Sequence, residues 1–161
     1  MHRKERSCGS REWPAVLVVT GWMLAGLGCD DDPDSYGDFE CSGSSCVCPG
    51  TGDCTIRCLD ACDLQCAGSG ACDFECPAGC LAACTGSGPC VVTVGDESTV
   101  DCTGSGGCDV ACAADCTVSC PGSGDCYVHC TDGATCELTN CSSDVVVCPD
   151  GLQVCGAPCP S

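Results

Sequence analysis

Cysteine recurs in this chain with a fixed period, and that period decides most of what the chain can fold into. Five segments have the form Cys-x-Gly-(Ser/Thr)-Gly-x-Cys: Cys48–Cys54, Cys66–Cys72, Cys84–Cys90, Cys102–Cys108 and Cys120–Cys126, each beginning 18 residues after the last. A period held without drift marks a stacked array, in which each repeat buries its apolar side only against its neighbours.

Between the Gly loops lie five-residue units of the form Cys-x-apolar-x-Cys. One series is CTIRC (54–58), CDFEC (72–76), CVVTV (90–94), CDVAC (108–112) and CYVHC (126–130). The other is CDLQC (62–66), CLAAC (80–84), STVDC (98–102) and CTVSC (116–120). Alternation with a period of two puts the cysteines and the central apolar residue on one strand face and the polar residues on the other. The units are too short for a stable helix, and their β-branched centres favour strands.

The predicted fold is all-β: a disulfide-rich β-solenoid with two short strands per 18-residue coil and about five to six coils. At strand spacing such a stack is a rod of roughly 25–30 Å. A three-residue arc such as Pro77-Ala78-Gly79 joins the strands of one coil, and the Gly loop leads to the next. Glycine is expected in these loops because positive φ costs it nothing. Two inward columns follow: Ile56, Phe74, Val92, Val110 and Val128 on one side, and Leu64, Ala82, Val100 and Val118 on the other.

These columns are thin. Aromatic residues make up only 4% of the 161, whereas cysteine accounts for 26 of them. A chain so poor in large side chains needs covalent staples, and cysteine at this level signals a disulfide scaffold. Setting aside Cys8 and Cys29 leaves 24 cysteines, enough for twelve bridges. Where the repeat expects cysteines at 94 and 98, the chain has Val94 and Ser98. Loss of both together is what a bridge between those positions predicts, and by repeat logic the bridges are Cys58–Cys62, Cys76–Cys80 and Cys112–Cys116. The remaining cysteines can close across the Gly loop (Cys66–Cys72, Cys84–Cys90) or within a coil (Cys72–Cys84, Cys90–Cys102). The loop scheme is favoured, since it pairs all 24 in sequential order.

Metal binding is the competing use of so many cysteines. The Cys-x3-Cys spacings fit a zinc pair, but Cys46-Val47-Cys48 is the only Cys-x-Cys, the unit from which thiolate metal stores are built. No cofactor or metal is expected. A calcium- or metal-binding repeat module stands as the second reading.

The beginning of the chain reads as an address. Arg3, Lys4, Arg6 and Arg11 precede an apolar run from Trp13 to Gly28, short for a bilayer-spanning helix and laid out like a secretory signal. Cys29 follows at once. Here the chain resembles a bacterial lipoprotein precursor, with Gly26-Leu27-Gly28-Cys29 in place of the usual Leu-(Ala/Ser)-(Gly/Ala)-Cys box. The resemblance implies that Cys29 is lipidated and becomes the mature N-terminus, holding the protein to a membrane; cleavage with full secretion is the alternative. Residues 29–43, rich in Asp, read as an acidic, self-repelling tether. The expected organisation is therefore a signal peptide over 1–28, the tether, the repeat array over 44–130, and a degenerate last coil or cap over 131–161.

Of the 23 Asp and Glu, all but Glu5 and Glu12 follow residue 28, against Arg57 alone. Such a surface repels nucleic acid, whose binding needs Lys and Arg on phosphates. His2 and His129 are the only histidines, and no Ser/His/Asp or Cys/His constellation can be assembled from the repeat. Calcium β-rolls share the 18-residue coil, but their Asp positions hold Cys here. The outward strand positions form no threonine ladder of the ice-binding kind.

The lipoprotein-like start, acidic tether and Cys-x-Val-x-Cys/Gly-Ser-Gly repeats together resemble the cysteine-rich repeat lipoproteins of the myxobacterial type. That resemblance implies export and brings no activity with it. The expected function is that of an exported, cell-envelope lipoprotein with a structural or adhesive role, not an enzyme, meeting an envelope or extracellular partner.

Overall fold

The computed structural model of the chain describes residues 37–42, 45–131 and 134–161. Its elements are all strands: β1 (Gly37–Cys41), β2 (Ser45–Cys48), β3 (Cys54–Cys58), β4 (Asp63–Cys66), β5 (Cys72–Cys76), β6 (Leu81–Cys84) and β7 (Cys90–Val94). They continue as β8 (Thr99–Cys102), β9 (Cys108–Cys112), β10 (Cys116–Ser119), β11 (Cys126–Cys130), β12 (Cys136–Thr139), β13 (Val145–Val147) and β14 (Gln153–Cys155). Odd strands β1 to β11 form one parallel sheet, which ends in β14 and β13, and even strands β2 to β12 form another. Each coil gives one strand to each sheet, so the fold is a disulfide-rich β-solenoid.

The fixed period sets the register. Cys72 lies beside Cys54 and Cys90, and Phe74 beside Ile56 and Val92. Every inward residue therefore stacks on its counterpart one coil away. Phe74, Val92, Val110 and Val128 in one column, and Val100 and Val118 in the other, are wholly buried. Cysteines flank both columns and complete the core. Because each inward site is filled by one mid-sized side chain, the two sheets face each other across a single layer of apolar contact.

The Gly loops correct the expectation about φ. Among the loop glycines only Gly50 has positive φ, at 111°. Glycine is needed for another reason: the loops stack on one another. A Cβ on Gly68 would strike the carbonyl oxygen of Gly50, one on Gly86 that of Gly68, and one on Gly104 that of Gly86. The loops also continue the backbone ladder, with the N–H of Ser87 donating to Gly68 O at 3.1 Å and that of Ser105 to Gly86 O at 3.2 Å. Positive φ falls instead in the narrow arcs, at Gly79 (75°), Glu97 (57°) and Asp115 (52°), the same position in three successive coils.

The array begins earlier than expected. Residues 37–41, assigned above to the tether, form β1 and pair with β3 from Gly37↔Cys54 to Cys41↔Cys58. The cause is legible in GDFEC, where Phe39 and Cys41 alternate with Asp38 and Glu40 and bring Phe39 beside Ile56. The arc of this coil is one residue shorter, with three residues between β1 and β2 against four between β3 and β4, and its second cysteine, Cys46, sits beside Leu64 in the inward column rather than ahead of the strand. Residues 1–36, with the signal, the lipidation position Cys29 and the rest of the tether, lie outside the described residues.

At the other end, β12 pairs with β10 in the same parallel sense, from Cys116↔Cys136. The chain then turns back. β14 lies antiparallel on β11 (Cys126↔Cys155) and β13 antiparallel on β14 (Val145↔Cys155), which closes the edge of β11. Val154, Leu152 and Cys148 form a small second core that packs against Tyr127.

Candidate functional site

The cysteines come first because they are the residues singled out for chemistry. The structure joins Cys58 to Cys62, Cys76 to Cys80 and Cys112 to Cys116, with Cα atoms 6.4, 6.4 and 6.3 Å apart. At the wide end the bridges cross the Gly loop rather than the coil: Cys48–Cys54, Cys66–Cys72, Cys84–Cys90, Cys102–Cys108 and Cys120–Cys126. Cys41–Cys46 and Cys130–Cys136 close the two end arcs.

The sequential scheme fails only in the cap. There Cys141 pairs with Cys155 and Cys148 with Cys159, instead of 141 with 148 and 155 with 159. The hairpin is the reason: pairing Val145 with Cys155 folds residue 155 back beside 141, and leaves Cys148 at the turn, near the end of the chain.

Three sets of sulfurs lie within 4.8 Å of one another: Cys41/Cys58/Cys62, Cys84/Cys90/Cys108 and Cys102/Cys120/Cys126. Each set holds both halves of one bridge and one sulfur of the neighbouring bridge. A metal ligand must be a thiolate, so in the oxidised protein these sets are stacked disulfides. Their closeness follows from the coil spacing.

Three outward surfaces remain. On the larger sheet, Nε and Nη2 of Arg57 both donate to Oε2 of Glu75, at 2.9 and 2.5 Å, in an exposed pair. The Glu75 carboxylate, by hydrogen bond and by charge, holds the guanidinium pKa above its ordinary value. On the same sheet, Nε2 of His129 on β11 lies 3.4 Å from Asp109 on β9, with both side chains half exposed. On the smaller sheet, Leu81 stands exposed in a shallow hollow between Asp63, Gln65, Thr99 and Asp101. On the loop face, the stacked Gly-Ser-Gly turns carry Thr51, Ser69, Ser87 and Ser105 in a file. None of the three pairs a nucleophile with a base, and on the two sheet faces neighbouring coils place unlike residues in line.

A fourth feature escaped the sequence reading. Val145, Val146 and Val147 of β13 are all exposed, at 40, 41 and 68% of their surface, at the free edge of the larger sheet. The signal was present: three consecutive valines break the alternation used everywhere else, between Asp144 and Asp150.

Compared with known proteins, the chain matches no family model, no curated protein and no solved structure. Its classification therefore rests on its own geometry: a disulfide-bridged β-solenoid repeat.

Proposed function

We propose that the chain is an exported cell-envelope protein, anchored through a lipid on Cys29, whose solenoid is a rigid binding or adhesion module and not a catalyst. One observation carries the reading: each cysteine of the described residues sits in a disulfide. Bridges in this number are the mark of an oxidising compartment, where disulfides form and persist. The basic and apolar start of the chain supplies a route there. A parallel-coil rod presents long faces at low conformational cost, which suits contact with a partner better than chemistry on a small substrate.

Intact mass of the exported protein, with and without alkylation, tests this. The reading expects cleavage ahead of Cys29, the mass of a diacylglyceryl and acyl group on it, and no free thiol. Cys29→Ala then moves the protein from the membrane fraction to the soluble fraction. Cleavage without added lipid would favour the fully secreted form, and about twenty or more free thiols would reject the disulfide framework.

A further inference from the structure

We infer that β13 is a docking edge for an extended peptide segment with an apolar centre and Lys or Arg at its flanks. This deepens the binding role proposed above and rests on it. The larger sheet ends in β13, whose inner side pairs with β14 and whose outer side has no strand neighbour among the described residues. A strand edge offers a row of backbone donors and acceptors, and a peptide that adds to it gains main-chain hydrogen bonds while side chains set specificity.

Other edges in the molecule are blunted. β1 carries Asp38 and Glu40, and β12 carries Glu137 while its Cys136 carbonyl accepts from Gln153 Nε2 at 3.2 Å. β2 sets Val47 between two bridged cysteines. Among the described strands only β13 leaves three consecutive apolar side chains exposed. An edge of that kind, uncharged and apolar, is normally avoided because it recruits other strands.

Charge selects the occupant. Asp144 and Asp150 bracket the strand, and Arg57 is the only Lys or Arg after residue 11. A second copy would bring the same carboxylates and the same net acidity to the edge, and would be repelled. A strand with basic flanks meets complementary charge at both ends and apolar contact in the middle.

The test uses the purified, oxidised, exported chain and a fluorescent nine-residue peptide (roughly the span of one strand with two flanks) of alternating Val and Thr between Lys pairs. Its control has Glu in place of Lys. Fluorescence anisotropy is expected to show the Lys peptide binding at least about ten-fold more tightly than the control. Val147→Asp adds negative charge yet removes the exposed apolar contact, and should weaken binding about ten-fold with all bridges intact by mass. Asp144→Asn with Asp150→Asn should weaken it less and flatten its salt dependence. Equal binding of both peptides, binding indifferent to Val147→Asp, no binding at about 1 mM, or a dimer that Val147→Asp abolishes would each overturn the inference. Because the assay is done in solution, its failure leaves the lipid anchor untouched, and loss of the anchor leaves the assay untouched.

Discussion

The hydroxyl of Ser98 accepts a hydrogen bond from the backbone N–H of Cys80 at 3.1 Å, at the one narrow arc among the described coils that has no bridge. Ser98 is wholly buried, and it also donates to Asp96 O at 3.4 Å. Across the arc, Val94 is buried and sits between Cys76 and Cys112. The site has kept the shape of its neighbours and exchanged a covalent bond for a methyl pair and a satisfied hydroxyl. Val94→Cys with Ser98→Cys should therefore form a thirteenth bridge without rearrangement, because the flanking coils already hold that geometry. The chain-entropy model gives roughly 2 kcal/mol for so short a loop, less what the lost hydroxyl contributed. Denaturant unfolding and a free-thiol assay check it; two free thiols in the folded double variant would show that the arc is built differently.

Stacking of the Gly loops makes a sharper claim. Gly86 and Gly107 both have negative or extended φ, yet a Cβ on Gly86 would meet the Gly68 carbonyl, while one on Gly107 would lie 3.7 Å from the Asp125 carbonyl. Gly86→Ala should cost about 1–3 kcal/mol through forced separation of two coils. Gly107→Ala should change stability by no more than about 0.5 kcal/mol. Chemical denaturation of the two variants side by side decides the matter, and equal losses would mean that loop glycines matter for backbone freedom after all.

In the narrow arcs the situation reverses. Gly79 and Glu97 occupy the same left-handed position one coil apart, at φ of 75° and 57°. Space is not the constraint, since a Cβ on Gly79 would meet only the Ala61 methyl, at 3.9 Å. The left-handed conformation costs a residue with a Cβ about 1–2 kcal/mol, from which the greater freedom of glycine in the unfolded chain takes back about 0.5–1. Glu97→Gly should raise stability by about 0.5–1 kcal/mol, and Gly79→Ala should lower it by a similar amount. The pair of unfolding curves should shift in opposite directions.

How much of this was legible in the sequence depends on what repeats. The solenoid, its strands and its inward columns follow from a period of two nested in a period of 18, and the strands from β3 to β11 obey both. The narrow-arc bridge was readable because Val94 and Ser98 depart together. What broke the period escaped. β1 was hidden by Gly37 in a cysteine position and by one residue missing from the arc, so acidity outweighed the alternation of Phe39 and Cys41. The cap bridges depend on a chain reversal that Cys141, Cys148, Cys155 and Cys159 do not encode by spacing. The reason for the loop glycines is a contact between residues 18 apart, visible only once the coils are stacked.

The route of the bridges gives the last prediction. Within the array each joins neighbours along the chain: Cys66 of β4 to Cys72 of β5, then Cys76 of β5 to Cys80 just before β6. Within the array, no bridge skips a strand to clamp one coil onto another. Cohesion between coils falls to the strand ladders and to the single columns of Ile, Phe, Leu, Ala and Val, while the bridges shorten the free chain between strands. Removing one rung, as in Cys84→Ala with Cys90→Ala, should thus cost roughly 2 kcal/mol and leave the array assembled. Removing all of them should not be survivable, because the columns alone are too thin to offset the entropy of the chain. Full reduction with a phosphine is expected to abolish the β-sheet circular dichroism and expose the array to protease, while the single-rung variant keeps both. A fully reduced protein that retained its strand signal and its protease resistance would show that stacking suffices, and that the cysteines serve some purpose other than holding the fold.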